Sequence, residues 1–271
     1  LMANETMASK RIRLKADLTQ SDFLELVDQP ENQTLLDLIP QVVRVEHPLL
    51  PDGTWFLRLP ELVVPVNAQR NEVDYQEVRN WEENDGAWRY PEIPLSANGN
   101  YQGTIATRIE SDADTVTFEI SLTNQGHRPW ENTLARLCFN HHPAQNYYRT
   151  QTYILSKGGW ELTKLTGTHS SFPVGGCELP WWERNEQKAS QGIIATCIQC
   201  NGEPFVIAIA SPTALLLGQS SAWPCIDIGI GFGDPPAGAT VSRTGRIYFH
   251  KGTLDELAAR FRSEFSEASS C

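Results

Sequence analysis

Basic residues are in short supply in this chain. It has 22 Lys and Arg against 33 Asp and Glu, a formal net charge of −11 over 271 residues. A protein that binds a phosphate backbone needs a basic stripe, and the longest basic feature is "SKRIRLK" at residues 9–15. No apolar run approaches the roughly 18 residues of a membrane-spanning helix. We therefore expect neither nucleic acid nor a membrane as partner.

Signal-peptide and disulfide features are also scarce. The first ten residues, "LMANETMASK", contain no apolar core of the signal-peptide type. Six cysteines do not make a disulfide-dense scaffold, so a cytoplasmic location is expected. Cys197 and Cys200 have the spacing of half a zinc site, but no second pair follows at a matching spacing. They fall in a predicted strand, where residues three apart point to opposite faces.

Several catalytic motifs are missing. The sequence has no G-x-S-x-G nucleophile elbow, and "GIGFGD" is followed by prolines rather than by a phosphate-binding helix. No H-x-x-x-H spacing is present, so no cofactor and no metal site are predicted. One alternative stays open, a metal-dependent hydrolase or lyase with histidine ligands. It would draw on His169, His250 and either His141 or His142, with Asp227 or Glu178.

Alternation of apolar and polar residues is the main pattern that is present. In "TVTFEISLTN", residues 115–124, every second residue is Val, Phe, Ile or Leu, which predicts a half-buried antiparallel strand. Asn201-Gly202 is a hairpin signal, because both positions accept positive φ. Ten or more short strands predict an all-β fold, a large antiparallel sandwich or barrel. Further strands are predicted at residues 54–66, 99–111, 133–142, 150–156, 160–167, 192–200, 205–211, 214–220, 225–232 and 240–249.

Helical signals are confined to the two ends of the chain. Short helices are predicted at residues 19–29 and 32–39. A capping box, Thr253 with Glu256, opens a C-terminal helix at residues 253–266 that we expect to pack on a sheet. Residues 1–18 are predicted as a flexible tail, and residues 67–98 as one long irregular stretch. With no convincing linker, residues 1–271 are predicted to form a single domain.

Two segments together resemble the galactose mutarotase-like (aldose 1-epimerase) superfamily. In "TVTFEISLTNQGHRPWENTLARLCFNHHP" a strand ends in a TN-x-G-x-x-P turn, and the returning strand delivers His142-Pro143. In "CIDIGIGFGDPPAGAT" a late strand carries Asp227 where the family has a glutamate, and a Pro-Gly-type turn follows. The resemblance covers about the C-terminal half. It implies a β-supersandwich that binds sugar on one sheet face.

The resemblance also implies a chemistry. Family epimerases open a sugar ring by moving one proton from the anomeric hydroxyl to a carboxylate and another from a histidine to the ring oxygen. Carried over, His142 and Asp227 take these roles, and "THSSF" adds His169 as a third catalytic candidate. Adjacent strand residues face opposite sides, so only one of His141 and His142 can face the pocket. Here His142 is followed by Pro-Ala and Asp227 replaces glutamate, so a lyase-type reaction stays open beside the epimerase.

Tryptophan is unusually frequent, at eight residues. Its rings stack on the apolar faces of sugars, and several lie beside charged residues in polar, turn-like sequence. A pocket arginine would favour an acidic sugar. The expected partner is a small carbohydrate or oligosaccharide, with the oligomeric state open. The other hypothesis is a non-catalytic carbohydrate-binding module with structural histidines. The predicted substrate-binding residues are Trp88, Arg89, Tyr147, Arg149, Trp181, Trp182 and Trp223.

Overall fold

Two antiparallel β-sheets pack against each other as a sandwich, which confirms the all-β prediction. The computed structural model describes residues 11–16, 42–50, 53–65, 74–75, 81–97, 101–141, 151–177, 185–220 and 225–266. The helices predicted at residues 19–29 and 32–39 lie outside these ranges.

The first sheet has seven described strands, in the spatial order β1-β2-β3-β9-β16-β15-β12. Its strands are β1 (Arg13–Lys15), β2 (Val42–Glu46), β3 (Thr54–Pro65), β9 (Thr133–Asn140), β12 (His169–Pro173), β15 (Ala214–Ser220) and β16 (Cys225–Gly233).

The second sheet has ten described strands, in the order β11-β10-β13-β14-β17-β8-β7-β6-β4, with β5 paired to β6. Its strands are β4 (Asp74–Tyr75), β5 (Glu82–Asn84), β6 (Ala87–Ala97), β7 (Tyr101–Ser111), β8 (Thr115–Asn124), β10 (Thr152–Ser156), β11 (Gly159–Leu162), β13 (Ile193–Cys200), β14 (Glu203–Ala210) and β17 (Thr240–Lys251).

The main core lies between the two sheets and follows the alternation in the sequence. On β8 the side chains of Val116, Phe118, Ile120 and Leu122 are all fully buried in it. The residues between them face the other side of the second sheet, because side chains alternate along a strand. The first sheet contributes its own alternate residues, such as Leu137 and Phe139 of β9, Ile226 and Ile228 of β16, and Leu57 of β3.

Two regions differ from the prediction. Residues 67–98, predicted to be irregular, contain β4, β5 and β6, and β6 is one of the longer strands. β6 was not predicted because it contains Pro91 and Pro94, and proline argues against an interior strand. The pairing of β6 with β7 shifts register between Tyr90 and Ile93. In the predicted N-terminal tail, Arg13–Lys15 is β1, paired with β2.

The predicted C-terminal helix is present as α1 (Leu254–Ser266). Thr253 and Glu256 form the capping box: the Thr253 amide donates to Glu256 Oε2 at 2.7 Å, and the Glu256 amide donates to Thr253 Oγ1 at 3.3 Å. Leu257, Ala258, Phe261 and Phe265 pack on the second sheet and form a second hydrophobic cluster there. Among the described residues, no helix has the length and apolarity needed to cross a membrane.

His47, just after β2, is a buried histidine of the core. Its ring stacks on Phe249 with centroids 4.9 Å apart and meets Phe205 edge-on at 5.5 Å. The Leu49 amide donates a hydrogen bond to its Nδ1 at 3.2 Å. Burial lowers the pKa of His47 to about 4, because the charged ring would lose its water.

This burial makes stability pH-dependent. Below pH 6.5 the unfolded chain takes up a proton at His47 that the folded chain accepts only near pH 4. The free energy of unfolding should therefore fall as the pH drops from about 6.5 to 4, by up to about 3 kcal/mol from this group. In His47→Phe, denaturant titrations over this interval should show a shallower slope. A control, His127→Phe, replaces an exposed histidine and should keep the wild-type slope; equal slopes in all three proteins would contradict the prediction.

Candidate functional site

Asp227 is a carboxylate buried on the side of the first sheet that faces away from the main core, called here the outer face. Its neighbours Ile226 and Ile228 belong to the core, so strand alternation sends Asp227 to the opposite side. Its side chain is nevertheless 0% exposed. A buried charge requires a partner, and the partners come from neighbouring strands.

Strand register brings these partners together. Gly218 of β15 pairs with Asp227 of β16, Asp227 with Cys138 of β9, and Cys138 with Arg58 of β3. Ser171 of β12 pairs with Gly218 at the other end of the row. Directly paired residues share one face of a sheet. The outer face therefore carries a row of neighbouring residues across five strands, although β3, β9 and β12 lie far before β15 and β16 in the sequence.

Arg136 neutralises Asp227. Its Nη2 donates a hydrogen bond to Asp227 Oδ2, and its Nε lies 3.8 Å from Glu61 Oε2. Glu61 in turn accepts a hydrogen bond from Arg58 Nη1 at 3.2 Å. Burial disfavours ionisation of Asp227, but the Arg136 charge, the nearby His169 and the hydrogen bonds from Arg136 and Cys225 together outweigh burial and hold the pKa of Asp227 below its ordinary value. The four side chains form an alternating chain of charges.

His169 of β12 joins this chain at its accessible end. Its Nε2 lies 4.0 Å from Asp227 Oδ2 and 3.3 Å from Arg136 Nη2. A guanidinium can only donate, so His169 Nε2 is the acceptor in its contact with Arg136. The His169 side chain is 26% exposed. A partly exposed imidazole thus lies next to a buried carboxylate. We call the group formed by Arg58, Glu61, Arg136, His169 and Asp227 the Asp227 cluster.

Gly218 makes the contact between His169 and Asp227 sterically possible. It lies on β15, between the strands that carry the two residues. A Cβ at Gly218 would lie 3.0 Å from Asp227 Cβ, 3.2 Å from Asp227 Oδ2 and 3.5 Å from His169 Cε1. Any side chain at this position would press on the carboxylate and the imidazole, so a glycine leaves the space that the cluster occupies.

Two buried thiols flank Asp227. Cys138 of β9 and Cys225 of β16 lie on the outer face, and their Sγ atoms and a carboxylate oxygen of Asp227 are all within 4.8 Å of one another. The hydrogen bond between the two thiols, together with burial, raises the pKa of Cys225 well above its ordinary value. By contrast, Cys197 and Cys200 pack into different hydrophobic clusters on opposite faces of the second sheet, as strand alternation predicted.

Of the predicted site residues that lie in the described part of the chain, the structure brings two together, Asp227 and His169. Trp88 and Arg89 lie on β6 of the second sheet, where Trp88 packs against the main core and Arg89 is exposed. Neither reaches the outer face of the first sheet, because β6 belongs to the other sheet. The remaining predicted residues lie outside the described part of the chain: His142, Tyr147, Arg149, Trp181, Trp182 and Trp223.

His141 is a core residue. Trp55 Nε1 donates a hydrogen bond to His141 Nδ1 at 3.1 Å, and burial lowers the pKa of His141 to about 3. Its ring lies edge-on to Phe139, with centroids 5.1 Å apart. His250 is on β17 of the second sheet. Within the described ranges, these histidines form no metal-ligating group with His169; His142 and Glu178, the alternative members of that ligand set, lie outside those ranges.

The sequence pattern missed Arg136, Glu61, Arg58, Cys138, Cys225 and Gly218. A usable signal was present for two of them: Arg58 in "FLRLPEL" and Arg136 in "TLARLCFN" are single charges inside apolar strands. Such a charge is rarely buried unless it is paired. The pairing itself depends on long-range register, which no local pattern contains.

Comparison with known proteins gives structural similarity only. No protein-family model and no curated protein matches the chain. A galactose mutarotase related enzyme from Lactobacillus acidophilus aligns with a TM-score of 0.43 and 7% identity, over 79% of this chain and 96% of that one. A candidate aldose 1-epimerase from Escherichia coli K12 aligns with a TM-score of 0.33 and 14% identity, over 64% of this chain and 69% of that one.

The space at Gly218 can be tested directly. Gly218→Ala should displace the His169 ring from Asp227 and lower the free energy of unfolding by about 1–3 kcal/mol, as overpacking does. Denaturant unfolding and the NMR signals of the His169 ring measure the two effects. In the control Gly231→Ala, on the same strand as Asp227, the new methyl meets the flexible Leu215 side chain, and the His169 signals should stay in place. Unchanged His169 signals in Gly218→Ala would refute this role.

Proposed function

We propose that the protein is a carbohydrate-active enzyme that performs acid/base chemistry of the epimerase or mutarotase type on a small sugar. One observation carries this proposal: Asp227 and His169, both expected from the sequence resemblance, share Arg136 on one face of the sheet. Proton transfer between sugar oxygens needs a carboxylate and an imidazole in reach of the same ring. A structural ion pair would not need the accessible histidine.

Each member of the Asp227 cluster has a role in this proposal. Asp227, kept ionised by Arg136, accepts the proton of the anomeric hydroxyl; its Oδ1 has no N–H or O–H donor among the described residues. His169, reachable from solvent, takes up a proton from solvent and delivers it to the ring oxygen as the carbon–oxygen bond of the ring breaks. The two protons return in reverse when the ring closes on the other face of the carbonyl. Glu61 holds Arg136 in place from its far side.

A neutral sugar fits this site better than an acidic one. The two arginines of the cluster, Arg58 and Arg136, already bind carboxylates of the chain itself. A substrate carboxylate would have to displace Glu61 or Asp227 from them. This favours the epimerase-type reaction over a lyase reaction on an acidic sugar, because the lyase reaction needs a cation that is free to neutralise the substrate carboxylate. The predicted roles of His142 and of the aromatic residues remain part of the proposal.

The proposal predicts which variants lose turnover. His169→Gln and Asp227→Asn should each slow the interconversion of α and β anomers by about a hundredfold or more, the scale of general acid/base catalysis. NMR exchange measurements on a panel of neutral aldoses give the rate. His127→Gln, at an exposed turn, should keep the wild-type rate.

Asp227→Asn could also unfold the protein, because the substitution leaves Arg136 buried without its carboxylate. Such a loss lowers the free energy of unfolding by about 3–5 kcal/mol. Circular dichroism therefore accompanies each rate, and His169→Gln, whose side chain is partly exposed, decides the case if Asp227→Asn unfolds. If wild-type protein accelerates no aldose of the panel, or if folded His169→Gln keeps full activity, the proposal is wrong. Sugar binding without turnover would instead identify a binding module.

A further inference from the structure

We propose that Cys138, Cys225 and Asp227 form a binding site for a thiophilic divalent cation of the zinc class, with three protein ligands and one open position. These residues form the one group of three or more potential ligands found within the described ranges. Two thiolates and one carboxylate are ligands that Zn²⁺ accepts in a tetrahedral arrangement. The proposed site shares Asp227 with the histidine set considered from the sequence, but two thiols take the place of the histidines.

The backbone fixes the three ligands before any metal binds. Cys138 and Asp227 are directly paired across β9 and β16, and Cys225 is two residues before Asp227 on the same strand. All three therefore point to the outer face. Their ligand atoms lie within 4.8 Å of one another, so rotations of side chains suffice to close them around one ion with bonds of about 2.0–2.3 Å.

A second observation points to a ligand at this position. Asp227 Oδ1 is fully buried and has no N–H or O–H donor among the described residues, whereas Oδ2 is taken by Arg136; the other hydrogen-bond partner of the carboxylate is the Cys225 thiol, a weak donor. A buried carboxylate oxygen without a donor is unfavourable. A cation at Oδ1 would satisfy it without breaking the ion pair with Arg136.

Charge balance also permits the cation. The surrounding side chains contain two positive charges, Arg58 and Arg136, and two negative charges, Glu61 and Asp227. When M²⁺ binds, each thiol loses its proton to solvent and its sulfur donates an electron pair to the metal. Two protons leave for one dication, so the net charge of the buried group does not change. Metal binding at this site should weaken at low pH, because protons compete with the metal for the sulfur atoms.

This site has a consequence that rests on the proposed function. A metal on Asp227 occupies the carboxylate that would accept the sugar proton, so the loaded protein should be inhibited. Metal binding itself is measured without sugar. A failure of the enzymatic proposal therefore leaves the metal proposal standing, and a failure to bind metal leaves the enzymatic proposal standing.

The experiment uses the full chain without an affinity tag and with reduced thiols. Co²⁺ added to this protein should produce a sulfur-to-cobalt charge-transfer band in the near ultraviolet, which Zn²⁺ abolishes by displacement. Binding should release about two protons per ion. Cys138→Ser and Cys225→Ser should each lose the band, and Asp227→Asn should weaken Co²⁺ binding about tenfold or more. Cys197→Ser, a thiol on the second sheet, is the matched control and should keep the band.

A measurement on the unmodified protein covers the case in which a variant does not fold. X-ray absorption of the Zn²⁺ form should give two sulfur neighbours at about 2.3 Å and oxygen or nitrogen neighbours at about 2.0 Å. Only nitrogen and oxygen neighbours, or a cobalt band that survives in folded Cys138→Ser or Cys225→Ser, would overturn the proposal. So would a band that is lost equally in Cys197→Ser.

Discussion

The ion pair between Arg136 and Asp227 is the interaction on which the outer face of the first sheet depends. A fully buried carboxylate is tolerated only when its charge is neutralised nearby, and Arg136 does this from the adjacent strand. Arg136 is in turn held by Glu61, and Glu61 by Arg58. The position of His169 follows from the same pair, because its Nε2 accepts from Arg136. Removing the pair would leave neighbouring polar groups unsatisfied across three strands.

Much of the architecture could be predicted from alternation alone. Residues 115–124 and 214–220 were predicted with the bounds that β8 and β15 have, because one face of each strand is apolar. The short strand β12 was missed because "HSSFP" has only one large apolar residue, and β2 because its five residues lie close to a predicted helical segment. β6 was missed because its two prolines read as loop. Side-chain pattern reveals a strand only where one face is buried uniformly.

The candidate site, like the fold, could be predicted from the sequence only in part. Asp227 could be assigned to the outer face because its two neighbours are isoleucines, and that assignment needed only the period of a strand. Its partner Arg136 lies 91 residues before it in the chain. Gly218, its neighbour on β15, lies 9 residues before it. Register between such strands is set by the whole sheet. The resemblance supplied His169, which no periodicity would have selected.

The helix α1 has a consequence for synthesis on the ribosome. The apolar patch of the second sheet formed by residues of β10, β13, β14 and β17 is covered by α1, whose residues are translated after all of those strands. Until residues 254–266 have been synthesised, this apolar patch is not covered by the helix. The first sheet has a similar delay, since β9, which ends at residue 140, pairs with β16, which begins at residue 225. The nascent chain therefore carries an unpaired edge of β9 until β16 is made, and α1 joins the second sheet only after all the strands that it covers.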